Sequence, residues 1–303
     1  MTLSPNLAGS LYMSIAMTAY TGADTIMKFV AGEMNMGQAI FVRGVFATLF
    51  VGVLAWRAGA LSSLGLMFHR HVMLRAIGEL GANVTFLLAL VHLPLANVSA
   101  IYQALPLAVT IAAAYFFREP VGWQRWTCIA VGFVGVLIVV RPGSDGFNAY
   151  SLLGVACVGF CVLRDVATRK VPDHIPTVLQ TGATAALVML FGAGMIVPQG
   201  GWSPLSGASV ALLLFGAALV VLGHQFIIMS TRVGEISVIA PFRYTSLICA
   251  ILLGIVVFGD YPDLQIILGS LIIVGSGIFM LYREGRVSRD HPAAHAVADA
   301  PEI

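Results

Sequence analysis

Residues 234–257 read GEISVIAPFRYTSLICAILLGIVV, a run long and apolar enough to cross a bilayer that nevertheless holds Pro241 and Arg243. The stretch has a counterpart in the first half of the chain. ANVSAIY at 96–102 lies over GEISVIA at 234–240 with a shift of 138 (237 − 99), and the same shift places Gly78 on Gly216. After a three-residue insertion, FREPVGWQ at 117–124 meets FGDYPDLQ at 258–265 with a shift of 141, and Asp24-x-x-x-Lys28 meets Asp165-x-x-x-Arg169 with the same 141. Matches in one order argue for an internal duplication, joined at RPGSDG, residues 141–146.

Composition says what kind of unit was duplicated. Of 303 residues 59% are hydrophobic and 10% charged, whereas a soluble domain carries about 25% charged residues. Windows of membrane-spanning length recur near 8–30, 37–57, 71–92, 96–117, 122–140, 149–170, 175–197, 207–230, 235–258 and 264–282. The chain therefore reads as an all-α integral membrane protein of about ten transmembrane helices. Five spans per copy is an odd number, so the second copy must enter the bilayer upside down. The division is a first repeat over 1–142, a second, inverted repeat over 147–285, and a disordered cytoplasmic tail over 286–303. Inverted repeats are the architecture of secondary transporters, in which one unit rocks against the other around a central site.

Charge fixes an orientation. With the N-terminus cytoplasmic, the inner side receives Arg57, Arg70, Arg75, Arg118, Arg125, Arg169, Lys170, Arg232, Arg283, Arg286 and Arg289, and the outer side only Lys28 and Arg141. Both termini are thus expected inside. The first apolar run has no basic leader and contains Asp24 and Lys28, so it is expected to be a mature span rather than a cleaved signal. Cys128, Cys157, Cys161 and Cys249 fall in apolar runs without ligand-spaced partners, and read as small buried hydrophobes. No metal or cofactor is expected, no basic block suggests nucleic acid, and HExxH, GxSxG and Walker A patterns are missing, so no enzyme is predicted.

Charged residues inside spans carry the functional reading. If span nine starts near Glu235, Arg243 lies about 12 Å along the helix. A lone charge there costs at least about 2.5–3.5 kcal/mol and calls for an interior partner. Glu79 on span three lies at a similar depth, and His224 reaches that level from span eight. Arg164 and Asp165 sit nearer the cytoplasm, and Asp24 and Arg43 form a second, outer layer in which an Asp24–Arg43 pair is reasonable. These four are expected to be gate or ion-pair supports. Glu79, Arg243 and His224 are expected to bind substrate or gate its passage. Pro106 and Pro241 interrupt spans four and nine three residues apart in the repeat alignment, and each frees a backbone carbonyl one turn earlier. Tyr20, Phe86, Tyr102, Phe160 and Tyr244 are candidate walls of the pocket, and Trp56, Trp123, Trp126 and Trp202 at span ends are expected interfacial anchors.

Two five-span halves, a short turn bearing an acid between spans four and five of each half (FFREPVGWQ, VFGDYPDLQ), and a glycine-punctuated last span (AVGFVGVLIV, LIIVGSGIFML) resemble the EamA repeats of the drug/metabolite transporter superfamily. The likeness covers residues 8–285 and is greatest toward the YddG-type bacterial amino-acid exporters. Asp260 stands where such repeats usually carry glutamate, and Arg243 is not part of the general pattern. The resemblance implies a multi-pass protein of the bacterial inner membrane that exports amino acids or related small metabolites, with protons as a further possible partner. A nucleotide-sugar or sugar-phosphate exchanger would call for a denser basic pocket. A passive channel would not require matched interruptions in both halves.

Overall fold

A computed structural model describes residues 4–116, 118, 122–142, 148–172, 174–233 and 236–290. Its helices are α1 (Pro5–Val30), α2 (Met36–Arg57), α3 (Arg70–His92), α4 (Leu95–Tyr102), α5 (Leu105–Phe116), α6 (Trp123–Val140), α7 (Ser151–Thr168), α8 (Thr177–Ile196), α9 (Gly207–Val233), α10 (Ile236–Ile239), α11 (Thr245–Leu253) and α12 (Leu264–Asp290). A 3-10 segment, Ala60–Phe68, links α2 to α3. A second, Ala240–Tyr244, joins α10 to α11, and a π turn, Gly254–Phe258, follows α11. Among the described residues eight helices are long and apolar enough to cross a membrane. The apolar Leu264–Met280 part of α12 is shorter, and the 26-residue α1, which holds Asp24 and Lys28, is not among the eight; counted with these two, the order of helices follows the ten expected spans.

Local chemistry sets the helix ends. Ser4 caps α1 by accepting from the Leu7 N–H, and Asn35 caps α2 by accepting from the Gln38 N–H at 2.8 Å. Asp263 caps α12 through the Ile266 N–H at 2.9 Å and also pairs with Arg141. Partial burial pushes the Asp263 carboxyl up, but the Arg141 and Ile266 bonds outweigh this and hold it below its ordinary value. This capping contribution is therefore present above the ordinary carboxylate range and is lost as pH falls through the depressed value.

The helices pack in pairs: α1 with α9, α3 with α7, α2 with α8, and α6 with α12. Numbered as spans these are one–eight, three–six, two–seven and five–ten. Exchanging each span with the one five places away turns the first pair into the second and leaves the other two unchanged, as a two-fold between inverted halves requires. Gly78 on α3 faces α7 and its repeat mate Gly216 on α9 faces Ile26 of α1, so the same small position serves the same seam twice.

Trp56, Trp123, Trp126 and Trp202 are all exposed near span ends, as interfacial anchors should be. The tail is where the structure departs from expectation. Helix α12 continues to Asp290, so residues 286–290 are helical rather than disordered. Past Gly285 the first strong helix breaker in the sequence is Pro292. Residues 291–303, Glu119, residues 143–147 of the joint, and residues 234 and 235 lie outside the described residues.

Candidate functional site

Both proline-bearing spans break near the middle of the bundle. Span four stops at Tyr102 and restarts at Leu105, with Pro106 in the first turn of α5, where it has no N–H to offer the Tyr102 carbonyl. Span nine passes from α10 through its 3-10 turn, which contains Pro241, into α11. The two breaks are tied together. Gln103 Nε2 donates to Ser246 Oγ at 2.6 Å, Ser246 Oγ donates to the Arg243 carbonyl at 3.0 Å, and Thr21 Oγ1 on α1 reaches the Ser246 carbonyl at 3.4 Å. Gln103 is buried. Neither it nor Ser246 stood out in the sequence, although a glutamine three residues before Pro106 in an apolar span was a usable signal. Gln103→Leu removes the donor to Ser246 and is expected to cost about 1–3 kcal/mol, read as a lower thermal unfolding midpoint in detergent.

Around this junction lies the first polar layer. Arg164 Nη1 on α7 meets Glu79 Oε2 on α3 at 3.1 Å, and its Nε meets Asp165 Oδ1 at 2.7 Å. Gly78 makes the approach possible, because a Cβ there would stand 2.8 Å from the Arg164 backbone nitrogen. Arg75 Nη1 donates to Thr184 Oγ1 at 2.9 Å and to the Gln180 carbonyl on α8. His224 on α9 bonds the Val220 carbonyl through Nδ1 at 2.9 Å and sets its ring edge-on to Tyr20 at 5.4 Å. Arg243 differs from the other two arginines. It is exposed, lies within electrostatic range of the Tyr20 hydroxyl together with Glu79 and Arg164, and among the described residues its guanidinium makes no hydrogen bond or ion pair.

Glu79, a candidate partner for Arg243, is held by Arg164 instead. Depth along a helix placed all three residues in one layer, but rotation about the helix axis, which depth does not give, decided the partner. The expected Asp24–Arg43 pair is not formed within 4 Å either. Arg43 is buried and donates Nη2 to Asn83 Oδ1 at 3.1 Å, with Asp24 farther off but within electrostatic range.

Among the aromatics, Phe86 and Tyr102 pack edge to face at 5.9 Å between the two layers. Phe160 lies against Gly81, beneath α3. Tyr244 instead presses its buried hydroxyl against Gly277 of α12.

The two ends of the bundle differ. At the end holding Lys28, cross-links are dense: Lys28 Nζ meets Asp260 Oδ2 at 3.1 Å and the Leu93 carbonyl at 2.8 Å, over the Phe258 ring. Gln38 exchanges two 2.8 Å hydrogen bonds with the backbone of Ser203, Asn35 reaches Gly201, and Ser209 reaches Glu33. The Lys28 end is closed, while Arg243 and Asp165, in the other half of the bundle, remain accessible.

Residues 7–141 match the EamA-like transporter family. That part of the chain carries an EamA-like domain, and over nearly its whole length the chain is similar to membrane transporters. It is 26% identical to a riboflavin transporter of Vibrio cholerae over 93% of this chain and 96% of that protein. It is 23% identical to an S-adenosylmethionine uptake transporter of Rickettsia felis, over 95% of this chain and 98% of the relative. It is 24% identical to the pseudopaline exporter CntI of Pseudomonas aeruginosa, over 88% and 93%. A crystal structure with 17% identity superposes with a TM-score of 0.65 over 91% of this chain and 99% of its own, a likeness of fold. None of these three EamA-type relatives is named for the amino-acid export that the YddG-type resemblance implied.

Proposed function

We propose that this EamA-type transporter works by alternating access and carries amino acids or related amino-acid-bearing metabolites out across the bacterial inner membrane. In this reading residues 1–142 and 147–285 are the inverted halves, both termini face the cytoplasm, and the open side is cytoplasmic. Arg243 carries the proposal. It is an accessible intramembrane guanidinium beside a helix break, and the acids of its layer, Glu79 and Asp165, already hold Arg164. A substrate carboxylate satisfies it, bidentate and charge-assisted. The Tyr102 carbonyl, which Pro106 cannot bond, is suited to an ammonium. Phe86, Tyr102 and Tyr20 supply apolar contact for the rest of the molecule.

The relatives support this reading in kind. S-adenosylmethionine is itself an amino-acid derivative. Riboflavin gives a second reading, a flat heterocycle stacked on the Phe86–Tyr102 pair. Uptake and export both occur among the relatives' names, as suits a reversible cycle whose direction the gradient sets. The test is counterflow in liposomes holding the purified protein, with labelled amino acids, S-adenosylmethionine and riboflavin in parallel, with and without a pH gradient. Preloaded amino acid should accelerate uptake of its labelled form. Acceleration by riboflavin alone would replace the substrate class, and no acceleration by any preloaded compound would remove the carrier mechanism. Inverted and right-side-out vesicles then report the direction of net flow.

A further inference from the structure

The intramembrane acids of this protein are not equivalent. Glu79 is held by Arg164 with Arg75 close by, and Asp165 accepts from the Arg164 Nε. Asp24, the repeat counterpart of Asp165, is half-buried on α1 about 9 Å from the end of its helix. Among the described residues its carboxylate has neither a hydrogen bond nor an ion pair within 4 Å.

Two cations could serve Asp24, and both are engaged elsewhere. Lys28 lies one turn on, the i+4 spacing at which an acid and a lysine meet on a helix surface, but its ammonium is on Asp260 and the Leu93 carbonyl. Arg43 on α2 faces Asp24 but donates to Asn83 on α3. The other neighbours offer no counter-charge. Helix α9 passes α1 with apolar residues from Phe215 to Val220; its titratable groups are His224, beside Tyr20, and Arg232, eight residues farther along the helix. Helix α10 has no titratable group, the 3-10 turn brings Arg243 and Tyr244 at the level of Tyr20, α11 brings Cys249 against Thr18, and α3 brings Arg75 and Glu79, which belong to the other layer. An ionised carboxylate without a partner at this depth is costly, and a neutral acid is not.

We propose that Asp24 is a proton-binding site, loaded while the Lys28 end is closed and emptied when that end opens. The closed end keeps Lys28 on Asp260. Opening it separates Lys28 from Asp260 and frees the ammonium to turn to Asp24 one turn away; the carboxylic acid gives up its proton to water entering from the opened side, and the carboxylate pairs with Lys28. One proton is thereby bound and released per cycle, at a residue distinct from the Arg243 layer. Only the consequence, proton-coupled transport, rests on the reading in the preceding subsection; the binding event itself is measured without substrate.

The measurement is infrared difference spectroscopy of the full-length protein in lipid, with acidic and alkaline buffer as the only perturbation and hydronium as the only ligand. Wild type should show the C=O band of a buried carboxylic acid that disappears as pH rises. The band should be lost in Asp24→Asn and kept in Glu79→Gln and Asp165→Asn. Asp260→Asn, which frees Lys28, should move its titration to lower pH, and this arm decides the matter if Asp24→Asn does not fold. No titrating band in wild type, a band that survives Asp24→Asn, or a titration unmoved by Asp260→Asn overturns the proposal. A sound proton site with no counterflow of any compound would instead contradict only the transport reading.

Discussion

Arg243→Met should abolish counterflow while the helix bundle stays intact. Removing one partner of a buried charge pair costs about 2–5 kcal/mol of binding, so substrate affinity should fall at least about thirty-fold. The fold should tolerate the change, since no acid among the described residues depends on this guanidinium. Arg164→Met is the contrasting case. It strands Glu79 inside the bundle and releases the more accessible Asp165, at an expected cost of about 3–5 kcal/mol. The two variants therefore separate in a paired measurement of binding and thermal unfolding: Arg243→Met loses binding at an unchanged midpoint, and Arg164→Met lowers the midpoint. Full transport by a well-expressed Arg243→Met protein removes this residue from the mechanism.

Gly135→Leu should damage the fold itself. Spans five and ten meet through reciprocal glycines: a Cβ on Gly135 would stand 2.9 Å from the Gly269 carbonyl oxygen, and a Cβ on Gly269 would stand 2.8 Å from the Gly135 carbonyl oxygen. The Ile273 and Val139 side chains crowd the same positions, and because the carbonyl oxygens are backbone no rotamer change relieves the clash in full. In a membrane, helix association depends on such close packing rather than on hydrophobic burial. Overpacking of this kind costs about 1–3 kcal/mol or more. Gly135→Leu should lower the unfolding midpoint and the yield of monodisperse protein, whereas Gly52→Leu, with nothing within 4 Å of its added Cβ, should leave both unchanged.

Span positions were legible because a bilayer dictates both length and polarity, and the start of every span falls within three residues of its expected place. Short matches such as ANVSAIY and GEISVIA pointed to a duplication and the odd span number to an inversion, and the helix pairing α1–α9 and α3–α7 is compatible with that symmetry. Partner choice within a layer was not readable. Depth along a helix is linear in residue number, but rotation and side-chain reach depend on seams set by residues such as Gly78, whose missing Cβ lets Arg164 reach Glu79 before Arg243 can. Gln103, Ser246 and Asn83 escaped notice for another reason. Single uncharged polar residues in apolar spans are common, and their importance comes from whom they meet across the bundle. Lys28 and Asp260 were recognised separately, the one as an outer charge and the other as a departure from the family's glutamate, but not as partners, because 232 residues separate them.

Alternating access requires that the Lys28 end open in every cycle, and this can be forced to fail. In a protein with Cys128, Cys157, Cys161 and Cys249 replaced by serine, Lys28→Cys and Asp260→Cys place two thiols where the closing ion pair stands, and a short cleavable bis-maleimide joins them. Counterflow should stop when the linker is in place and return when it is cleaved, with substrate binding from the Arg243 side retained throughout. Undiminished transport through a protein whose Lys28 end is covalently shut would contradict the account.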